Sequence, residues 1–379
     1  MKKAKKITYL FGAGASYNAV PILNSLSESM RSVVVFLKTE VRKPNSRNRN
    51  FKEADWWLKD YATAVNLFSD DLYELALKSD EYGTIDTYAK KLELNNEHQE
   101  LKKMKFLVSI FFTIWQGYFY KSHILKQDES SRIKYSDIDI RYKSLVSNYL
   151  LKTQNSFPTL DSNVNFVSWN YDHQLESAFS LFFKNKLNLT ELNDQIKFLP
   201  TSENVYSNNK ILHLNGISNF WINNNKKLER IFQDDDELEI KTIIKRIAQL
   251  YKPSNFGKSA SLINYAWDNN LSKLKDAKRI FQETDILIII GYSFPTFNRE
   301  IDAQLLIGNN NNNKFEKIVY QDPNASKELL SVFDLDIEAT RNIYKEKKEP
   351  IILQNTDQFH IPAEYFPSAI RENDNTITF

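Results

Sequence analysis

The sequence predicts an α/β fold, a doubly wound and mostly parallel sheet carrying a large helical insertion. Three observations predict it. Ile7 to Phe11 is a short, continuously apolar run, the pattern of a strand buried on both faces, and it ends in Gly12-Ala13-Gly14-Ala15-Ser16. Four later runs repeat that form of apolar residues followed by polar ones: Phe166-Val167-Ser168-Trp169-Asn170-Tyr171-Asp172; Ile211-Leu212-His213-Leu214-Asn215-Gly216; Ile286 to Ile290 followed by Gly291-Tyr292-Ser293; and Ile318-Val319-Tyr320-Gln321-Asp322-Pro323-Asn324. Between about Phe51 and Tyr149, by contrast, apolar residues recur with helical period and no strand pattern is convincing.

Composition narrows the function classes. A chain of 379 residues suits two domains, or one with a large insertion. Residues 1–40 and 151–330 are expected to form the sheet domain, 41–150 the insertion, and 331–379 a C-terminal extension. Lys plus Arg (50) against Asp plus Glu (48) leaves a net charge of +2, which does not point to nucleic acid. The Lys2, Lys3, Lys5, Lys6 cluster reads as a solvated lead-in to the first strand. Without cysteine there is no disulfide framework and no thiolate zinc site, which fits a reducing cytoplasm, and no metal is expected. No signal peptide is expected, because the first strand pattern begins at Ile7. The most apolar helix, from Phe106 to Tyr120, is interrupted by Ser109, Thr113 and Gln116, too polar to span a bilayer.

Taken in order, the first strand leads through the glycine loop into a helix. Ser25 and Glu28 have capping-box spacing there, and Leu23, Leu26, Met30, Val33 and Leu37 share one face. Lys43 to Asn48 reads as a linker. Trp57, Tyr61, Val65, Phe68, Leu72 and Leu75 open the insertion with helical spacing, and Gly83-Thr84-Ile85-Asp86 is a capped helix start within it. The aromatics Trp56, Trp57, Phe111, Phe112, Trp115 and Phe119 read as core. The sheet resumes at Val164, and a helix from near Asp172 is expected to carry Leu175, Phe179 and Phe182 inward. Asn223 to Lys227 is a polar loop. Asp234 to Glu237 reads as a solvated run rather than a metal site, because consecutive acids cannot all converge on one ion. Gly257-Lys258-Ser259 is not a P-loop, since Lys252 stands where its first glycine must be. Asn309 to Asn313 is a low-complexity loop, and Ile351-Ile352-Leu353 a candidate last strand.

Open α/β sheets bind ligands at the carboxyl ends of their strands, where four of the eight glycines stand: Gly12, Gly14, Gly216 and Gly291. Gly12 and Gly14 would let backbone amides approach an anion, with Ser16 adding a hydroxyl. The ordered set Gly12 to Ser16, Ser168 to Asp172 with Leu175-Glu176, His213 to Gly216, Gly291-Tyr-Ser-Phe-Pro295 and Asp322-Pro-Asn324 resembles the NAD-binding motifs of the sirtuin superfamily. The likeness is greatest to the bacterial sirtuin-like domains of antiphage defence systems, which hydrolyse NAD. It covers residues 7–40 and 160–325. The resemblance implies a sirtuin-like Rossmann variant. Gly12, Ala13, Gly14 and Ser16 would hold the pyrophosphate and nearby ribose, Asn170 and Asp172 would lie at the nicotinamide end, Gly291, Ser293 and Asn324 would flank the adenosine, and Asn215 and Gly216 would also belong to the cofactor-binding set. It also implies a role in abortive infection through NAD depletion, restrained at rest by a homo-oligomer or a partner protein encoded nearby.

The motifs depart from the family at three points. Ala19-Val20-Pro21 lacks the glycine that sirtuins place before the proline, Trp169 replaces a polar residue, and Asn215 occupies the position of the catalytic histidine. The last matters chemically. Cleaving the nicotinamide–ribose bond develops positive charge on the sugar, while the leaving group is already cationic and departs neutral without a general acid. The site must supply a positioned water, a proton acceptor and negative potential. Asn170 can position water or a ribose hydroxyl, and Asp172 can stabilise charge; Asn215, an amide, is no base. His213 lies two residues away, about 7 Å along a strand and on the same face if the strand continues. It reads as the base, or else as a structural histidine that braces the loop. The expected activity is an NAD glycohydrolase yielding nicotinamide and ADP-ribose. The alternative is a subunit that binds NAD or ADP-ribose without consuming it. Protein deacylation is disfavoured, because the four-cysteine zinc module of true sirtuins cannot exist here.

Overall fold

The computed structural model describes residues 4–42, 54–119, 138–152, 158–183, 187, 189–200, 210–223, 225–231, 240–251, 260–268, 271–307, 315–333 and 349–365. The five apolar runs form strands: β1 (Ile7–Phe11), β4 (Val164–Ser168), β5 (Ile211–His213), β9 (Ile286–Ile290) and β10 (Lys317–Gln321). With β11 (Ile351–Leu353) they make a six-stranded sheet in the order β11-β10-β9-β1-β4-β5, and every pair in it is parallel. Numbered within the sheet, the strands run 3-2-1-4-5-6 across it, the order of the Rossmann fold, with the reversal at β1.

Register explains why the strand ends matter. Phe11 pairs with Ser168 on one side and Ile290 on the other, Ser168 with His213, and Ile290 with Gln321. Gly12, Trp169, Leu214, Gly291 and Asp322 therefore leave the sheet at one level, on one edge.

Both faces of the sheet are covered, as continuous apolar strands require. Tyr9, Phe11, Phe166, Ile288 and Ile290 pack with Tyr142, Leu145 and Tyr149 of the helix Ile140–Tyr149 and with Leu175 and Phe179 of Gln174–Ser180. Leu10, Val167, Leu212, Leu287, Ile289 and Tyr320 pack with Ala277, Ile280 and Phe281 of Leu271–Glu283, with Leu305 of Arg299–Leu306 and with Leu330 of Lys327–Ser331.

A separate helical core is built from α1 (Leu23–Arg42), α2 (Ala54–Glu81), α3 (Ile85–Leu94) and α4 (His98–Ile114), whose buried residues include Val33, Phe68, Ile85 and Phe111. Among the described residues no strand lies between 43 and 149. Trp221, Ile243, Ile247 and Tyr265 join this core from the far end of the chain. Trp221 lies within, and the other three flank, a small antiparallel sheet of β6 (Phe220–Ile222), β7 (Leu228–Arg230) and β8 (Ala260–Ser261), which the apolar pattern does not announce because each strand is so short. A second short pair, β2 (Leu150–Lys152) with β3 (Pro158–Leu160), leads into β4. No helix among the described residues is long and apolar enough to cross a membrane.

Three local expectations are corrected. The glycine loop continues into a 3-10 turn, Ala13–Ser16, and α1 begins only at Leu23. Ser25 thus lies inside the first turn of α1 with its Oγ on the Ile22 carbonyl, so it is not the cap of a capping box. Phe182 is exposed because its helix ends at Ser180, and Phe183 turns inward instead. The Lys43–Asn48 linker, the Asp234–Glu237 run, Gly257–Ser259 and Asn309–Asn313 fall outside the described residues.

Candidate functional site

A cleft of about 350 Å³ runs across the carboxyl edge of the sheet, within the size range of cofactor pockets. It is lined by the loops after five adjacent strands: Asn215 after β5, Asn170 to Asp172 after β4, Ala13, Gly14 and Ser16 after β1, Gly291 to Ser293 after β9, and Asp322 and Asn324 after β10. Four strand intervals span about 19 Å. Ile85 and Asp86 of α3 and Phe112 of α4 close one side, so Phe112 serves both core and cleft.

Of the residues predicted from sequence, Ala13, Gly14, Ser16, Asn170, Asp172, Asn215, Gly291, Ser293 and Asn324 line the cleft; Gly12, His213 and Gly216 do not. The three exclusions have physical reasons. Gly12 packs against the β9 loop, where a Cβ would sit 2.5 Å from the Gly291 carbonyl oxygen. Gly216 has φ +78°, and a Cβ there would meet the Leu262 carbonyl oxygen at 1.7 Å, so its role is close packing. His213 is the last residue of β5, and the chain turns immediately after it. The period-two argument that aimed it at the cleft lapses there.

His213 is instead held behind the site. Its Nδ1 lies 3.1 Å from the Asn170 carbonyl, which can only accept, so Nδ1 carries a proton. Its Nε2 lies 2.6 Å from Oε1 of Glu176, a fully buried carboxylate. Burial works against a charged imidazole, but Glu176, helped by the Asn170 carbonyl and Asp172, raises its pKa above the ordinary histidine value. Both ring nitrogens are occupied, which makes His213 a brace for Asn170.

Asn170 is fixed from several sides. Its N–H donates to Ser168 Oγ at 3.0 Å, and its Nδ2 donates to the Gly12 carbonyl at 2.9 Å and to Ser16 Oγ at 3.3 Å. Asp172 Oδ1 accepts from the Gln174 N–H at 3.0 Å. Burial pushes its carboxyl up to about 6, partly opposed by the bonds from Gln174 and Ser16 and by His213. Asn215 is buried, and its Oδ1 has no hydrogen-bond partner among the described residues.

The glycine loop is committed to its own structure. The Gly12 N–H donates to the Ile290 carbonyl, Gly14 to Gly291 and Ala15 to Gly12, so these amides do not face an anion as expected. Gly291 has φ +61°, and a Cβ there would lie 2.1 Å from Ala15 N and 2.4 Å from the Gly14 carbonyl carbon. The two loops are in backbone contact, and glycine is what permits it. Phe294, at φ +52°, adds a second left-handed residue three positions on. Trp169 stacks on Tyr292, with centroids 6.1 Å apart and planes at 15°, and both line the cleft.

Two features escaped sequence reasoning. Arg141, 2% exposed, forms a buried ion pair with Asp139 and donates from Nη2 to the Ala15 carbonyl at 2.9 Å, supporting the glycine loop from behind. Asp86 stands in the cleft from the insertion. Among the described residues no lysine, arginine or histidine lines the cleft, whereas Asp86, Asp172 and Asp322 do, so the described lining carries negative fixed charge. No protein-family model matches the chain, and no curated protein matches it.

Proposed function

We propose that the chain binds NAD across the carboxyl edge of its sheet and hydrolyses it to nicotinamide and ADP-ribose. The observation that carries this reading is one continuous cleft over the ends of five parallel strands in Rossmann order, with Asn170 and Asp172 toward its β5 end. The negative lining favours the cationic nicotinamide ring and the positive charge that develops on the ribose as the bond breaks. Asn170, braced by His213 through its carbonyl, positions the ribose hydroxyls or the attacking water. Asp172, raised by burial, takes a proton more readily near neutral pH than an ordinary carboxylate does. Ser293 and Asn324, both exposed at the far end, offer polar contacts to the adenosine half. The likeness of the motifs to sirtuin-like defence domains supports a role in depleting cellular NAD under the control of an oligomer or partner.

A second reading, binding without turnover, is favoured by one specific pair of facts: an amide at Asn215 where the enzymes hold histidine, and a His213 locked out of the cleft. Nicotinamide release separates the two. It is measured with the purified chain, alone and with the protein encoded beside it, for wild type, Asn170→Ala and Asn215→His. Turnover by wild type that falls by about two orders of magnitude in Asn170→Ala supports hydrolysis. NAD binding with no turnover until Asn215→His is introduced supports the second reading.

A further inference from the structure

Three buried polar atoms at one end of the cleft have no partner among the described residues: Asp86 Oδ1, the Tyr171 hydroxyl and Asn215 Oδ1. All three residues line the cleft. Buried polar atoms are nearly always paired, so three orphans on one wall mark where a ligand supplies the missing bonds. They come from unrelated parts of the chain. Asp86 sits in the first turn of α3, whose N-cap Thr84 accepts from the Thr87 N–H and holds that turn rigid. Tyr171 follows β4, with its ring against Phe112. Asn215 follows β5.

Their chemistry is one-sided. A carboxylate and an amide carbonyl oxygen only accept, and the phenol can accept or donate. Burial raises the pKa of the Tyr171 hydroxyl, and the charge of nearby Asp86 raises it further. Burial alone pushes the Asp86 carboxyl up to about 6. A wall of this kind suits a group that carries N–H or O–H donors and positive charge, and it repels a carboxylate.

We propose that Asp86, with Tyr171 and Asn215, forms a selectivity pocket for the cationic carboxamide-bearing ring of the dinucleotide and rejects the deamido form, whose ring carries a carboxylate. This rests on the NAD reading above. It gives the helical insertion a direct part in ligand choice, since Asp86 is, among the described residues, the insertion's only charged residue in the cleft lining.

The test is titration calorimetry of the full chain at pH 8 with NAD and with its deamido form, for wild type, Asp86→Asn and Tyr171→Phe, with melting temperatures alongside. Wild type is expected to prefer NAD by about tenfold or more. Asp86→Asn brings the ratio to within about threefold and melts no lower than wild type, because the buried Oδ1 has no hydrogen bond among the described residues to lose. Tyr171→Phe weakens NAD binding with the fold intact. A ratio unchanged in Asp86→Asn, or a wild type without preference, overturns the pocket while leaving NAD binding standing. A lower melting temperature in Asp86→Asn also overturns it, by showing a structural role. If neither nucleotide binds wild type, the parent reading falls and the pocket with it.

Discussion

Gly83 and Gly291 share a left-handed backbone, with φ +78° and +61°, but differ in the space around them. A Cβ on Gly83 meets nothing within 4 Å; one on Gly291 would lie 2.1 Å from Ala15 N and 2.4 Å from the Gly14 carbonyl carbon. Alanine at either position pays the left-handed penalty, about 1–2 kcal/mol. At Gly291 the glycine loop must also retreat by more than 1 Å to restore ordinary contact, and overpacking of that kind adds about 1–3 kcal/mol. The Gly14 N–H bond to the Gly291 carbonyl, at 2.9 Å, is strained with it. Gly291→Ala is therefore expected to cost about 2–5 kcal/mol, and Gly83→Ala about 1–2 kcal/mol. Urea unfolding gives both values, and NAD titration gives the functional consequence. Because Ala13, Gly14 and Gly291 all line the cleft, Gly291→Ala weakens binding and Gly83→Ala does not. Equal costs for the two substitutions would refute the claim that the β1 and β9 loops are in backbone contact.

The remaining predictions concern the buried charges. Arg141→Met strands the Asp139 carboxylate, whose side chain is fully buried, and removes the bond to the Ala15 carbonyl; a loss of about 3–5 kcal/mol is expected in urea unfolding, with partial recovery in Asp139→Asn/Arg141→Met. His213→Ala leaves Glu176 without its partner at a comparable cost, and adding Glu176→Gln recovers part of it in a double-mutant cycle. Asp302 accepts from the Tyr292 hydroxyl at 2.6 Å, and burial pushes its carboxyl up to about 7. Its folded pKa lies above the unfolded value of about 3.9, so the stability tied to its neutral form is complete below that value and is lost as pH rises through 7. Asp302→Asn keeps an acceptor for Tyr292 without ionising, so thermal melting should show it gaining on wild type between pH 5 and pH 8, by at most about 2.6 kcal/mol.

Strand positions were legible because a strand buried on both faces is apolar at every position, and the polar residues that follow it mark the edge. That logic carries Asn170, Asp172, Asn215, Ser293 and Asn324 into one cleft without tertiary information. It fails for His213, since periodicity cannot say where a strand stops: β5 ends on that residue, and the turn through Leu214 delivers Asn215 to the cleft instead. The glycine loop was located correctly but its amides were not, because their acceptors belong to Ile290 and Gly291, distant in sequence. Arg141 is opaque for the same reason, with its acceptors Ala15 and Thr356 lying 126 and 215 residues away. Asp86 left a fainter signal, an acid in the first turn of a capped helix whose neighbour Ile85 is core, and only the tertiary packing of α3 against the strand ends gives it a role.

The central claim, that the cleft over the strand ends holds NAD, is tested most directly by titrating the purified chain with NAD in a calorimeter and repeating the titration with Asn170→Ala and with Gly291→Ala. Single-site binding that both substitutions weaken by about tenfold or more, with the fold retained by circular dichroism, is the predicted result. No heat of binding to wild type, or binding that neither substitution alters, would contradict it.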